Sequence, residues 1–346
     1  MSGLGKGIVT ASIGRLLKTH GYKVVPIKFD GYLNVDCGTM NPFRHGEVFV
    51  LDDGGEVDMD FGTYERFLNT SLTKDSSITG GKIFKLVLEK ERRGDYLGRD
   101  VQMVPHLTNE LKDRVRSVGE QTKADIVLVE VGGTVGDIEN GYFIEAMRQL
   151  SGEEDVLFIQ LTYVPSLSPG EQKTKPTQHS NRLIQSLGIK PEIILCREQE
   201  PLTKEAKDKI ALFCDVPQEN VFDDPVVDTV YQLPQVLKKQ KLYDAIAKRF
   251  KLRKTKVNVG IWNRMVRRIT KPPKKLLRVG IVGKYTAVKD AYVSVNEAIL
   301  HAAAANNVHA EVCFVESTDV EKKGAPALQG LDAIIVPGGF GKRGIE

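Results

Sequence analysis

The chain contains 346 residues, of which 41% are hydrophobic and 27% charged, and its formal net charge is only +4. This composition is typical of a soluble globular protein with room for two domains, and no apolar run reaches the roughly 18 residues that a membrane-spanning helix needs. The N-terminus lacks the basic and apolar blocks of a secretory signal, so we expect a cytoplasmic protein without membrane contact.

The first 250 residues alternate between helical and β-branched patterns. Apolar residues at helical spacing stop at Gly21, which predicts a helix between the opening glycines and that residue. Further helices are predicted over residues 81–93, 107–118, 177–187, 203–213 and 231–249. Strands are predicted over residues 23–29, 101–104, 125–130, 156–161, 192–196 and 220–222. This alternation implies an α/β fold with a doubly wound, mainly parallel sheet, which binds ligands at the carboxyl ends of its strands.

The pattern loosens after residue 250 into a basic stretch, and a second domain begins near residue 277. Thirteen Lys or Arg residues lie between Lys248 and Arg278. They contain no recognised nucleic-acid-binding motif, so we expect a solvated linker over residues 251–276 and no nucleic-acid partner. Beyond the linker, strands are predicted over residues 277–282, 310–315 and 333–336, and a helix over residues 294–306.

The opening Ser2–Gly7 segment, with sequence SGLGKG, is similar to a phosphate-binding loop. Glycines let backbone N–H groups close on phosphate oxygens, and a lysine neutralises them. The usual pattern has one more glycine five residues before Gly5 and a Ser or Thr where this chain has Gly7. A flexible glycine-rich terminus is therefore the alternative when this segment is taken by itself.

Acidic residues indicate a magnesium site. Six of them lie between Glu47 and Arg66 in addition to Glu47 itself, and Glu130 ends a predicted central strand. Magnesium prefers one or two carboxylates together with phosphate oxygens, so one acid from each place would suffice. Asp137 and Glu139, in the glycine-rich turn that follows, can accept hydrogen bonds from a ligand. The alternative is a solvated acidic loop.

A third motif, GEQKTKPTQ, spans residues 170–178. It places Lys173 and Lys175 two residues apart on a predicted extended segment, with Thr177 as the N-cap of the next helix. Two lysines so spaced suit a polyphosphate. On spacing alone, the alternative is that the two lysines are only charged residues at the start of a helix and bind no ligand.

Taken together, these motifs identify a family. The chain resembles CTP synthases in SGLGKG, NPFRHGEVFVLDDGGEVDMDFGTYERF, KERRGDYLG, VEVGGTVGDIE, GEQKTKPTQ, KIALFC, VGKYTAVKDAYVSV and PGGFG, which occur in the family's order. The resemblance implies a P-loop NTPase-like amidoligase domain over residues 1–250. It also implies the N-terminal part of a flavodoxin-like class I glutaminase domain over residues 277–346.

The implied reaction is the ATP-dependent amination of UTP to CTP through a 4-phosphorylated UTP. By resemblance, Lys6 and Lys28 act on the transferring phosphates, and Asp60 and Glu130 hold Mg²⁺. ATP is assigned to Gly3, Leu4, Gly5, Lys6, Gly7, Ile8, Asp60, Pro225, Val226 and Val227. UTP is assigned to Ser2, Lys173, Thr174, Lys175, Pro176, Thr177, Gln178 and Lys209. CTP, as feedback inhibitor, is assigned to Ser2, Asp137, Ile138, Glu139, Lys173, Lys175, Gln178 and Lys209.

The glutaminase part implies ammonia supply from glutamine, with Gly339 and Phe340 in the glutamine-binding turn. Such enzymes need a cysteine between glycines and later His and Glu residues, and none of the four cysteines fits. We therefore expect no glutaminase activity in this chain, and we expect ATP binding to be impaired more than UTP binding because the usual strand before the phosphate loop is missing. Gly31 is a further departure, since the family usually has proline there.

The expected assembly is a homotetramer that takes UTP, ATP, and ammonia or glutamine. A nucleotide-binding assembly subunit with impaired catalysis is the alternative. A partition-type ATPase of the same broad fold is disfavoured by the KTKPTQ block and by the glutaminase-like start.

Overall fold

The computed structural model describes residues 3–168, 170–253, 255, 259–286 and 289–338. The chain divides into two compact units. The first comprises Met1–Asp36, Leu51–Gly55 and Thr63–Val257, and the second comprises Cys37–Val50, Glu56–Gly62 and Asn258–Glu346. The domain limits proposed from the sequence stay a prediction.

The strands and helices follow in chain order. The strands are β1 Val24–Asp30, β2 Phe49–Val50, β3 Glu56–Val57, β4 Ser77–Thr79, β5 Ile126–Val131, β6 Ile159–Tyr163, β7 Ile193–Glu198, β8 Val221–Pro225, β9 Leu276–Gly283, β10 His309–Glu316 and β11 Ala333–Ile335. The helices are α1 Lys6–Thr19, α2 Pro42–His45, α3 Asp60–Leu68, α4 Gly80–Arg93, α5 Thr108–Thr122, α6 Gly141–Leu150, α7 Lys175–Ser186, α8 Lys204–Cys214, α9 Leu233–Lys239, α10 Leu242–Phe250, α11 Gly260–Thr270, α12 Val293–Asn306 and α13 Ser317–Lys323.

The first unit is built on two parallel sheets of three strands. One has the order β4-β1-β5 and the other the order β6-β7-β8. Strand β7 shows why helices cover both faces: Ile193 and Leu195 pack into the core formed with α1, α9 and α10, whereas Ile194 and Cys196 pack against α8. Successive side chains of a strand point to opposite faces, so a strand buried on both faces is apolar throughout. The predicted doubly wound α/β class is confirmed.

One predicted helix is two helices in the structure. The prediction of a single helix over residues 231–249 is wrong, because α9 ends at Lys239 and α10 begins at Leu242. Lys241 has a left-handed φ of 66°, which interrupts a right-handed helix. The Gln240 side chain accepts a hydrogen bond from Asp223 N–H and donates one to Asp223 C=O, both at 2.8 Å. These two hydrogen bonds connect the residue between α9 and α10 to strand β8.

The predicted strand over residues 101–104 is also wrong. The segment bends into a turn at Met103–Leu107 and pairs with no strand among the described residues. Gln102 N–H donates to His106 Nδ1 at 3.0 Å, and Gln102 C=O accepts from Leu107 N–H at 3.4 Å. The backbone groups that a strand would use in a ladder are therefore satisfied locally.

The second unit contains a parallel sheet with the order β10-β9-β11 and a short antiparallel β2–β3 pair. Its small core places Ile281 of β9 against Ile299 of α12. Helix α11 lies inside the stretch predicted as a linker, because Trp262 and Val266, four residues apart, bury one face of an otherwise basic segment. The remaining predicted elements agree with the observed bounds to within a few residues, and the glutaminase assignment stays a prediction. No helix in the described ranges has both the length and the apolarity to cross a bilayer.

Candidate active site

The carboxyl ends of β1 and β5 bring two buried charges together. Lys28 lies directly opposite Glu130 in the parallel register, and each is 5% exposed. Opposed residues on neighbouring strands present their side chains to the same face. Lys28 Nζ also lies 3.7 Å from Asp30 Oδ1. Since buried charges are costly unless they are paired, this edge is built to hold opposite charges side by side.

Two tyrosine hydroxyls orient the carboxylates of this site. The Tyr64 hydroxyl, fully buried in α3, donates to Glu130 Oε2. The Tyr32 hydroxyl donates to Asp30 Oδ2 at 3.2 Å. Sequence reasoning missed both tyrosines, although Tyr64 stands in the acidic block that was singled out.

The glycine loop forms the N-terminus of α1. Gly5 precedes the helix with a φ of 93°, and no side chain caps the helix start. Gly3 has a φ of 71°, so both positions have the left-handed backbone that glycine adopts without strain. The uncapped N–H groups and the helix dipole together favour an anion here. Ser2 lies outside the described residues.

The loop lysine reaches the turn that follows β5. Lys6 Nζ donates to Gly133 C=O at 2.9 Å. In the same turn, Gly132 N–H donates to Phe29 C=O at 2.7 Å, and a Cβ on Gly132 would lie 2.8 Å from that oxygen. Only glycine allows this approach. The structure thus joins two predicted motifs, the SGLGKG loop and the VEVGGTVGDIE turn.

The predicted CTP residues Asp137, Ile138 and Glu139 lie farther along that turn. Asp137 Oδ2 accepts from Thr134 N–H at 3.0 Å, which closes the turn on itself. The Ile138 side chain is 92% exposed. Gly31 packs beneath, where a Cβ would lie 2.6 Å from Asn140 Oδ1. The bend at Gly31 is therefore tightly apposed to the turn.

The run from Lys173 to Gln178 divides into inward and outward side chains. Thr174, Thr177 and Gln178 are buried, and Thr177 Oγ1 donates to Thr162 Oγ1 at 3.1 Å. Lys173 pairs with Glu171, and Lys175 Nζ lies 5.4 Å from the centre of the Phe213 ring. The predicted N-cap is wrong: Thr174 precedes the helix, Pro176 lies in its first turn and Thr177 is inside it, where its hydroxyl donates to Thr162.

The remaining predicted nucleotide contacts are exposed or at a strand end. Lys209 on α8 forms an ion pair with Glu205 at 2.5 Å. Pro225 ends β8, and its carbonyl accepts from Arg197 Nη1 at 3.3 Å, while Val226 is exposed. Asp60 is the first residue of α3, where its N–H donates to Asp58 Oδ1 at 2.9 Å.

Two buried acids near Pro225 were not predicted. Glu198 ends β7 and Asp224 lies in β8, and both are essentially without exposure. Burial, and next the neighbouring Asp223, raise the pKa of Glu198 to about 8. Burial also raises the pKa of Asp224 to about 6, against the opposing effect of Arg197. The signal available in the sequence was the pair Arg197 and Glu198 at the end of an apolar strand.

The chemistry of the residues present fits a magnesium ion that takes only one or two ligands from the protein. Glu130 offers a buried, oriented carboxylate. Among the described residues, no group of three or more His, Cys, Asp or Glu side chains could hold a metal ion. Magnesium takes few protein ligands when phosphate oxygens and water complete its shell, so one or two carboxylates suffice. Gly339 and Phe340, predicted to bind glutamine, lie outside the described residues.

Comparison with known proteins places the chain in a family. A family model described as CTP synthase N-terminus matches residues 1–252. The CTP synthases of Thermococcus gammatolerans and Methanosarcina acetivorans are each 50% identical, over 350 and 351 residues respectively. The match covers 100% of this chain and 65% of each relative. The CTP synthase of Symbiobacterium thermophilum is 48% identical over 356 residues, with 66% of that relative covered. The chain therefore spans about two thirds of the length of these relatives, and it belongs to the CTP synthase family.

Proposed function

We propose that this chain carries the UTP-aminating centre of a CTP synthase. The observation that carries the proposal is the opposition of buried Lys28 and Glu130 at the carboxyl ends of β1 and β5. Beside them lies the uncapped N-terminus of α1 with Lys6. Family membership supplies the substrates, and this edge supplies cations and carboxylates where a parallel sheet binds ligands.

The proposed reaction has two steps. The terminal phosphoryl group of ATP is transferred to oxygen 4 of UTP, which releases ADP. Ammonia then attacks carbon 4, the bond from carbon 4 to the phosphorylated oxygen breaks, and phosphate leaves with CTP as product. Phosphoryl transfer depends on positioning and charge neutralisation rather than on a covalent protein group.

Each residue has a role in this scheme. Lys6, at the N-terminus of α1, binds phosphate oxygens together with the backbone N–H groups of Gly3 to Ile8. Lys28 neutralises charge that builds up during the transfer. Glu130, oriented by Tyr64, and Asp60 would hold Mg²⁺, which supplies further neutralisation of phosphate charge when it is bound. The segment from Pro225 to Val227 contacts the adenine.

The UTP site is proposed on the outward side chains of the GEQKTKPTQ run and on Lys209. Thr174, Thr177 and Gln178 hold the start of α7, and Lys173 and Lys175 contact the triphosphate. Homotetramer assembly, feedback inhibition by CTP at Asp137–Glu139, and ammonia supply from glutamine are further parts of the proposal that come from the family.

The direct test is CTP formation from UTP, ATP and Mg²⁺ with ammonium chloride as nitrogen source. We expect CTP and ADP to appear in equal amounts, and omission of UTP to abolish both. Binding of UTP and ATP without any CTP formation would reject the catalytic proposal and favour a nucleotide-binding assembly subunit.

Changing Lys173 or Lys175 to Ala is expected to weaken UTP binding. A lysine contact with a phosphate is a charge-assisted interaction, so each substitution should cost about 1.5–3 kcal/mol. Isothermal titration with UTP measures it. The matched control is Lys190→Ala, which removes an exposed lysine paired with Asp215. Unchanged UTP affinity in both test variants would contradict the assignment.

A further inference from the structure

The buried acid Glu198 is not satisfied by its surroundings. It is the last residue of β7 and is 1% exposed. Its Oε2 accepts from Asp224 N–H at 3.2 Å, whereas its Oε1 is buried without a hydrogen-bond partner among the described residues. A buried carboxylate in this state is strongly disfavoured, but a neutral carboxylic acid is tolerated.

The charges that face Glu198 come from three elements. Strand β8 contributes Asp223 and Asp224, and α8 contributes Lys207, whose Nζ lies 2.6 Å from Asp223 Oδ2. Strand β7 itself contributes Arg197, whose Nη1 lies 3.4 Å from Asp224 Oδ1. Each cation is thus engaged by an aspartate, and no ion pair to Glu198 occurs in the described ranges. The nearby Cys196 thiol stays neutral, because burial raises its pKa to about 12.

These groups hold the start of the segment proposed to contact adenine. Glu198 binds the N–H of Asp224, and Arg197 binds the carbonyl of Pro225 at 3.3 Å. If Glu198 ionises, its new charge attracts the Arg197 guanidinium and repels the Asp223 and Asp224 carboxylates. The hydrogen bond to Pro225 then competes with an ion pair, and the segment loses its fixed position.

We propose that Glu198 is a positioning residue whose neutral carboxyl holds the segment from Pro225 to Val227 for ATP, so that loss of its proton weakens ATP binding and leaves UTP binding unchanged. This inference rests on the proposed function, since it takes the adenine contact from it. Asp224 loses its proton nearer pH 6, so it is already charged over the range from pH 7 to pH 9 in which Glu198 loses its own.

The experiment titrates the full chain with ATP and, separately, with UTP in the presence of Mg²⁺ at pH 7 and pH 9. Wild type should bind ATP about tenfold more weakly at pH 9. Glu198→Gln keeps an acceptor for Asp224 N–H without a charge to gain, so its ATP affinity should match wild type at pH 7 and change little up to pH 9. Glu198→Ala removes the acceptor, and it should bind ATP weakly at both pH values.

Four results would overturn the inference. One is an ATP affinity of wild type that is equal at pH 7 and pH 9, and another is an ATP affinity that falls equally in Glu198→Gln. Either would show that ionisation of Glu198 does not control ATP binding. A parallel loss of UTP affinity would indicate a general structural role. If wild type binds UTP but not ATP at either pH, the proposed function fails together with the inference, whereas a pH-independent ATP affinity leaves the proposed function standing.

Discussion

Lys28→Met is expected to reduce ammonia-dependent CTP formation by a factor on the order of 10²–10³, as removal of one preorganised group that stabilises transition-state charge does in other enzymes. Lys28 is buried and lies opposite Glu130, so little solvent can compensate for the loss of its charge. The loss should appear mainly in kcat, because the proposed contact strengthens as charge moves onto the transferring phosphoryl group. Steady-state rates at saturating ATP and UTP measure it.

The control separates catalysis from folding. Lys28→Met removes the cation that lies 3.7 Å from Asp30, so thermal unfolding and UTP titration must accompany the kinetics. Lys28→Arg keeps the positive charge for Asp30 but changes its shape and reach, and should also be slow. Lys190→Met removes an exposed lysine and should be as active as wild type. Full activity of a folded Lys28→Met variant would contradict the role of Lys28.

The free energy of unfolding is expected to fall by about 2–4 kcal/mol between pH 5 and pH 9 through Glu198 alone. Its pKa in the folded chain is raised to about 8, chiefly by burial. A raised pKa means that the folded state holds the proton after the unfolded chain has lost it. The stabilisation is therefore fully present below the ordinary Glu pKa and is lost as the pH rises through 8.

Chemical unfolding across this pH range measures the effect, and Glu198→Gln is the matched variant. Gln cannot ionise, so the difference between wild type and variant should grow with pH in favour of Glu198→Gln. Asp224 has a pKa raised to about 6, so it lowers the free energy of unfolding at lower pH than Glu198 does, and both proteins share this fall. Identical pH dependence in the two proteins would show that Glu198 does not hold its proton in the folded chain.

Much of the fold follows from local pattern. Strand β7 is apolar at every position from Ile193 to Cys196, which is how a strand covered on both faces must read, and β1 is buried along its whole length. The break at Gln240–Lys241 does not follow from pattern, since Lys241 adopts a left-handed backbone and the Gln240 side chain bonds to Asp223, 17 residues away. Contacts of that kind depend on the tertiary structure and leave no periodicity in the sequence.

The site was predictable where residues end strands and unpredictable where they act through partners. Lys28 and Glu130 could be placed because both follow β-branched runs, and parallel strands bring such ends to one edge. Tyr64 reaches Glu130 from α3, 66 residues away, and nothing in its immediate neighbours indicates that contact. Likewise, Thr174 and Thr177 look alike in the sequence, but in the structure Thr174 precedes α7 and Thr177 lies inside it, with its hydroxyl bonded to Thr162.

Because Lys6 donates a hydrogen bond to the Gly133 carbonyl, it must give up this acceptor before it can bind a phosphate. Gly133 is exposed, so water can replace the ammonium group on its carbonyl when a polyphosphate draws Lys6 away. A single small anion offers little in return for this exchange, whereas a chain of phosphates offers several oxygens at once. In the proposed ATP site, giving up this contact would be a small cost that a chain of phosphates offsets more readily than a single anion does.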